Sequence, residues 1–252
     1  MHIMDLGIIQ HIAASILFLL VWDTGIDGTT DFKVGRIWEV LIEAYDTLAT
    51  PSGERLPHAV FFAIFEKRRS KNPPSYPELH SKAAIGRHCT HALNQVVKRM
   101  EDWSPLGASF TDDDDGSTFN MVKELLANCA RFYDCILFHD YWLPEDAAQE
   151  AHDALLCVGC FHQALSNKFM TRSRKIFYFT EKAHYAQHIA LDCLYLRSNP
   201  RFGWTYRDED YMGKVKQLAE ASSRARGPLK LGRAFTFRWR NRMRLLWKRR
   251  RR

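Results

Sequence analysis

ELHSKAAIGRHCTHALNQVVKRMEDW, residues 78–103, decides the fold class. Leu79, Ala83, Gly86, Cys89, Leu93, Val96 or Val97 and Met100 recur at spacings of three and four. That period lays them along one stripe of a helix of about seven turns. Period-two alternation is absent, so the stretch is not a half-buried strand. A helix with one apolar face must bury that face against neighbours, and the sequence on both sides supplies more helices.

Upstream, residues 4–22 are apolar nearly all round and read as a buried helix. Its most apolar part, IAASILFLLVW at 12–22, is short for a bilayer span. The flank before it carries Asp5 and no Lys or Arg, which argues against a secretory leader. DTGIDGTTD at 23–31 breaks the helix with two glycines, and Thr30 or Asp31 is placed to cap the next one. That second helix, 32–49, sets Val34, Ile37, Trp38, Leu41, Tyr45 and Leu48 on one stripe. A third is expected over 56–69, with Pro57 in its first turn and SKNPPSYP (70–77) as the loop after it.

Downstream, SPLGASFTDDDDGST (104–118) is the most polar stretch and marks a sub-boundary within a helical domain of residues 1–222. Its four aspartates lack the ligand spacing and closing Glu of a calcium loop, so it reads as a solvated linker. Helices are expected over 119–140, over 145–171, over 176–197 with SNP as the stop, and over 209–222. The expectation is an all-α, irregular bundle of about seven helices, followed by a basic tail at 223–252.

Charge divides the chain more sharply than its total suggests. The formal net charge is +7, yet residues 221–252 hold thirteen Lys or Arg and no acid, and removing those thirteen leaves −6 for residues 1–220. An acidic body with a basic tail points to a polyanionic partner for the tail. Arg233, Arg238, Arg240, Arg242, Arg244, Lys248, Arg249 and Arg250 are the candidate phosphate contacts, with Phe235, Phe237, Trp239 and Trp247 interleaved as stacking or packing surfaces. The competing readings of the tail are an amphipathic helix that closes the bundle, a nuclear import signal and a membrane-surface helix. Nucleic acid is the expected partner, with no membrane role.

Six cysteines lie in apolar, helix-like segments, which argues against a disulfide framework and for a reducing, intracellular setting, nuclear or cytoplasmic rather than secreted. CVGCFH (Cys157, Cys160, His162) and HYAQH (His184, His188) have ligand-like spacings for zinc, with Cys157, Cys160, His184 and His188 as the candidate ligands. Against that, both cysteines stand among Leu155, Leu156, Val158 and Phe161, where a thiol is an ordinary small core residue. His80, His88 and His91 form a second imidazole group with no carboxylate at a matching spacing. No hydrolase triad and no glycine-rich phosphate loop is visible.

Three separated pieces resemble one family, the CACTA-type (Transposase-21-like) cut-and-paste transposases. MHIMDLGIIQHIAASIL (1–17) is similar to the segment after that family's second catalytic Asp, with His2 as the histidine of an Asp-x-x-His motif. EKAHYAQHI (181–189) matches a Lys-x-His-Tyr-x-x-His stretch through Lys182, His184, Tyr185 and His188. WTYRDEDYMGKVKQL (204–218) matches a Trp-x-Tyr-x-x-Glu-Arg-x-Met-x-x-x-Lys stretch through Trp204, Tyr206, Glu209, Met212 and Lys216, with Asp210 where the family has Arg.

The resemblance implies the all-helical insertion of an RNase H-like transposase, plus the returning helix that carries Glu209 as the last catalytic acid. It implies Mg²⁺ for an intact homologue, and the RNase H-like core as a partner. The two earlier catalytic Asp precede the matched segment, so the expectation for this chain alone is no cofactor and no activity. A Glu favoured by the dipole at a helix N-terminus is the plain alternative for Glu209. The rival function is a helical interaction or scaffold protein with a nuclear-import or RNA-binding tail.

Overall fold

The computed structural model describes residues 4–24, 26–66, 70–102, 117–203 and 236. Met4–Ile8 form a π-helical turn that runs directly into α1 (Ile9–Trp22). From Ile12 to Val21 every α1 residue is buried, as an all-apolar helix requires. α2 (Thr30–Thr47), α3 (His58–Glu66) and α4 (Ala83–Asp102) pack around α1. α5 (Ser117–Phe138) packs on α4, α6 (Glu145–Thr171) on α5, and α7 (Lys182–Leu196) on α6 and back onto the first turn. The fold is all-α, with seven α-helices and no strand element among the described residues.

The few polar groups of α1 hold the surrounding chain in place. Gln10 accepts the Leu79 amide at 3.1 Å and donates its side-chain amide to the Ser81 carbonyl at 2.9 Å. Those bonds hold residues 79–81 out of the helix, with the Ser81 amide turned onto the Leu79 carbonyl at 2.8 Å, so α4 starts at Ala83 rather than at Glu78. Ser15 Oγ accepts the amide of Phe177 at 2.9 Å. Ile176 and Phe177 are core residues on a non-helical segment, and Phe177 has φ 56°, so α7 begins at Lys182 rather than at 176. Thr29, not Thr30 or Asp31, caps α2, accepting the Phe32 amide at 3.3 Å.

Both ends of α1 carry buried carboxylates. Tyr133 of α5 donates its hydroxyl to Asp5 at 2.5 Å, with both residues fully buried. At the other end Arg174 donates to Asp23 at 2.8 and 3.4 Å and to the Lys71 carbonyl at 3.1 Å, and its guanidinium lies over the Phe169 ring. At the C-terminus of α5, Asn199 donates its side-chain amide to the carbonyls of Ile136, His139 and Asp140, while Arg201 donates to that of Leu137. Carbonyls that a helix end leaves unpaired are thereby satisfied.

Residues 1–203 form one compact unit. The helix expected over 209–222 and the basic tail, apart from Thr236, lie outside the described residues.

Candidate functional site

The segments that resemble transposases at residues 1–17 and 181–189 meet in space. The π-helical turn packs on α7, and the stem of Lys182 lies flat on Gly7. A Cβ at position 7 would collide with Lys182 Cδ and stand 3.3 Å from Cε and Nζ. Gly7 thus makes the room that lets a long cationic side chain cover an apolar turn. The rest of α7 is positioned by its small face, since Ala183, Ala186, Ala190 and Cys193 are buried at spacings of three and four. That register turns His184 and His188 outward, with their Nε2 atoms 3.1 Å apart.

His2, Glu209, Trp204, Tyr206, Lys216 and the tail cations all lie outside the described residues. Cys157 and Cys160 do not occupy core positions as the apolar context suggested. Cys157 is half-buried and Cys160 is exposed, on the outer side of α6. Apolar neighbours in sequence do not fix a residue's face; the buried stripe of α6 runs instead through Ala151, Leu155, Val158 and His162. All six cysteines are free, and among the described residues no group of three or more His, Cys, Asp or Glu converges as a metal site.

The second histidine group acquires its carboxylates through tertiary contacts that local spacing does not reveal. His88 Nε2 stands 2.6 Å from Glu54, and His91 Nε2 stands 3.8 Å from Asp134. Burial lowers the pKa of His91 and raises that of Asp134, each offset in part by the other's charge. Beside them α4, α5 and α6 border an open cleft of about 430 Å³, lined by Asn94, Lys98, Arg131, Asp134, Cys135 and Glu150 among others. Its charges pair across the cleft, with Arg131 3.6 Å from Glu150. Burial first, then Glu150, pushes the Cys135 thiol up to about 12, so it is no thiolate nucleophile near neutral pH.

His162 on α6, the third member of the CVGCFH run, lies apart from both cysteines, on the buried face of the helix. It is 1% exposed, and neither ring nitrogen has a hydrogen-bond partner within the protein. Its ring meets Phe177 and Phe179 edge-on at 6.3 and 5.3 Å. Burial, with a smaller contribution from the charge of His11, pushes it down to about 3. It is therefore a neutral imidazole at physiological pH and a latent acid sensitivity.

Aromatic side chains gather on the surface where α5 ends. Phe138 and Trp142 are 81% and 65% exposed, and the Tyr141 ring lies 4.8 Å from Trp142 and 5.5 Å from Phe202. Exposed aromatic clusters of this kind mark interaction surfaces more often than isolated apolar residues do. Among the described residues no helix is long and apolar enough to cross a membrane. Comparison with known proteins finds no matching family model, no matching curated protein and no matching solved structure.

Proposed function

We propose that this chain is the helical insertion region of a CACTA-type cut-and-paste transposase, with the helix returning toward the catalytic core, and that its arginine-rich tail holds nucleic-acid phosphates in the nucleus. The observation that supports this most is the contact of Gly7 with Lys182. It brings the first resembling segment against the second, as segments on either side of an insertion near a shared core would meet. Lys182 belongs to that junction, and His184 and His188 stand on the outer face of the same helix. Glu209 is the candidate last acid and His2 the candidate motif histidine.

Two-metal strand transfer needs several carboxylates holding two ions about 4 Å apart. Among the described residues no three or more His, Cys, Asp or Glu come together, and Glu209 lies outside them; Mg²⁺ is what the resemblance implies for an intact homologue, and no catalytic step is assigned to this chain. The second reading, a helical interaction protein with a basic import or RNA-binding arm, is favoured by the exposed cluster of Phe138, Tyr141, Trp142 and Phe202.

Deleting residues 229–252 tests the tail, and probing it with duplex DNA against RNA separates the two readings. Under the transposase reading, truncation weakens duplex DNA binding at least about tenfold, because the body left behind is acidic. Scrambling the DNA sequence changes affinity little. Lysine at Arg238, Arg240, Arg242 and Arg244 weakens binding only modestly, since charge is kept and only the forked geometry is lost. Duplex binding that survives truncation, measured by fluorescence anisotropy, removes the tail from the account. A tail that binds RNA and ignores duplex DNA makes the scaffold reading the better one.

A further inference from the structure

Two imidazoles on the outer face of α7 are arranged as a chelating pair. His184 and His188 are one helical turn apart and both exposed. Their Nε2 atoms are 3.1 Å apart, the ring centroids are 4.7 Å apart and the planes stand at 86°. Two nitrogens bound to one ion at about 2.0–2.1 Å each, with an angle between roughly 90° and 109°, are separated by roughly 2.8–3.4 Å. The observed spacing falls inside that window. The buried Ala183, Ala186 and Ala190 fix the rotation of α7 against the body and so keep both imidazoles on its outer face.

Without a metal, one Nε2–H donates to the lone pair of the other ring, and an ion would replace that shared proton. Competing imidazoles are otherwise engaged: His88 sits against Glu54, His91 against Asp134, and His152 against Asp153. We propose that His184 and His188 form a two-histidine clamp for a divalent transition-metal ion, with solvent or an incoming ligand filling its other coordination positions. Imidazole favours Zn²⁺, Ni²⁺ and Cu²⁺ over Mg²⁺ and Ca²⁺, which prefer oxygen. The clamp is thus distinct from the Mg²⁺ chemistry of an intact transposase, and it stands whether or not the transposase reading does. Cys157 and Cys160 are not part of it, since no third His, Cys, Asp or Glu of the described residues joins the pair.

The test is titration calorimetry of the tag-free full chain with ZnCl₂, against MgCl₂ as the counter-probe. The expected result is one Zn²⁺ per chain, no Mg²⁺ heat at the same concentrations, and affinity weakened at least about tenfold by either His184→Ala or His188→Ala. Because both side chains are exposed, these variants should keep the wild-type far-ultraviolet circular dichroism, which separates a lost ligand from a lost fold. Cys157→Ser and Cys160→Ser should leave the isotherm unchanged. Zinc binding insensitive to both histidine substitutions overturns the clamp. So does loss on either cysteine substitution, which would instead indicate a closed four-ligand site.

Discussion

Arg174→Ala should destabilise the protein by about 3–5 kcal/mol, because it leaves the Asp23 carboxylate buried without its main partner. Asp23 and Arg174 side chains are 2% and 5% exposed, so water cannot take over the lost bonds. Lys71 Nζ, 3.4 Å from Asp23, retains part of the compensation and pulls the expected cost toward the lower end of that range. The same substitution releases the Lys71 carbonyl and the face of Phe169, loosening the two loops that meet at the end of α1. Denaturant unfolding monitored by tryptophan fluorescence measures the cost. Replacing the pair together, Asp23→Leu with Arg174→Met, should recover most of it, since an apolar pair carries no desolvation penalty. A single substitution costing under about 1 kcal/mol would mean the pair is solvated in the working protein.

Acid should unfold this chain through His162 before its carboxylates are exhausted. The imidazole titrates near 3 when folded, against an ordinary value of 6.5. Between those values the unfolded state binds the proton and the native state does not, so stability is full above about pH 6.5 and falls as the pH drops. The slope is about 1.4 kcal/mol per pH unit, or about 2 kcal/mol between pH 5.5 and 4. His11, which faces it from α1, adds to the effect because its own pKa is lowered by burial. His162→Leu keeps the volume near that of the ring and removes the titrating group. It should equal or exceed wild-type stability at pH 7 and lose less of it at pH 4.5. Parallel losses in the two proteins would show that His162 takes up its proton in the folded state as well, hydrated rather than sealed.

Much of the fold is legible in the chain because helical periodicity survives without tertiary information. The span 145–171 coincides with α6, and 119–140 lies within two residues of α5 at either end. The errors fall where a backbone group is captured from a distance. Leu79 continues the apolar period of α4, yet its amide is taken by Gln10; Ile176 and Phe177 look like a first helical turn, yet Ser15 of α1 takes the Phe177 amide. Asn199 was readable only as part of a helix stop, whereas its side chain binds three carbonyls of another segment.

Legibility of the candidate site is lower for a related reason. Residue spacing identifies His184 and His188 as facing one way, and the structure supplies their separation. Spacing on one helix cannot foresee partners from others, so Glu54 and Asp134 were invisible beside His88 and His91. His162 looks like one more polar residue of a helix, and only packing shows it sealed among aromatic rings. Composition, by contrast, reads charge directly, and the nucleic-acid part of the proposal rests on it.

The salt dependence of duplex DNA binding by the full chain tests that proposal most directly. Thirteen cations follow residue 220 without an acid. If roughly six to eight of them neutralise phosphates, log affinity falls with log salt at a slope of about −5 to −7, from about −0.9 per phosphate. Between 50 and 200 mM monovalent salt that is a loss of roughly three to four orders of magnitude. A slope in that range, shared by unrelated duplex sequences, is the predicted result; binding that is absent at the lowest salt, or flat across the range, would contradict it.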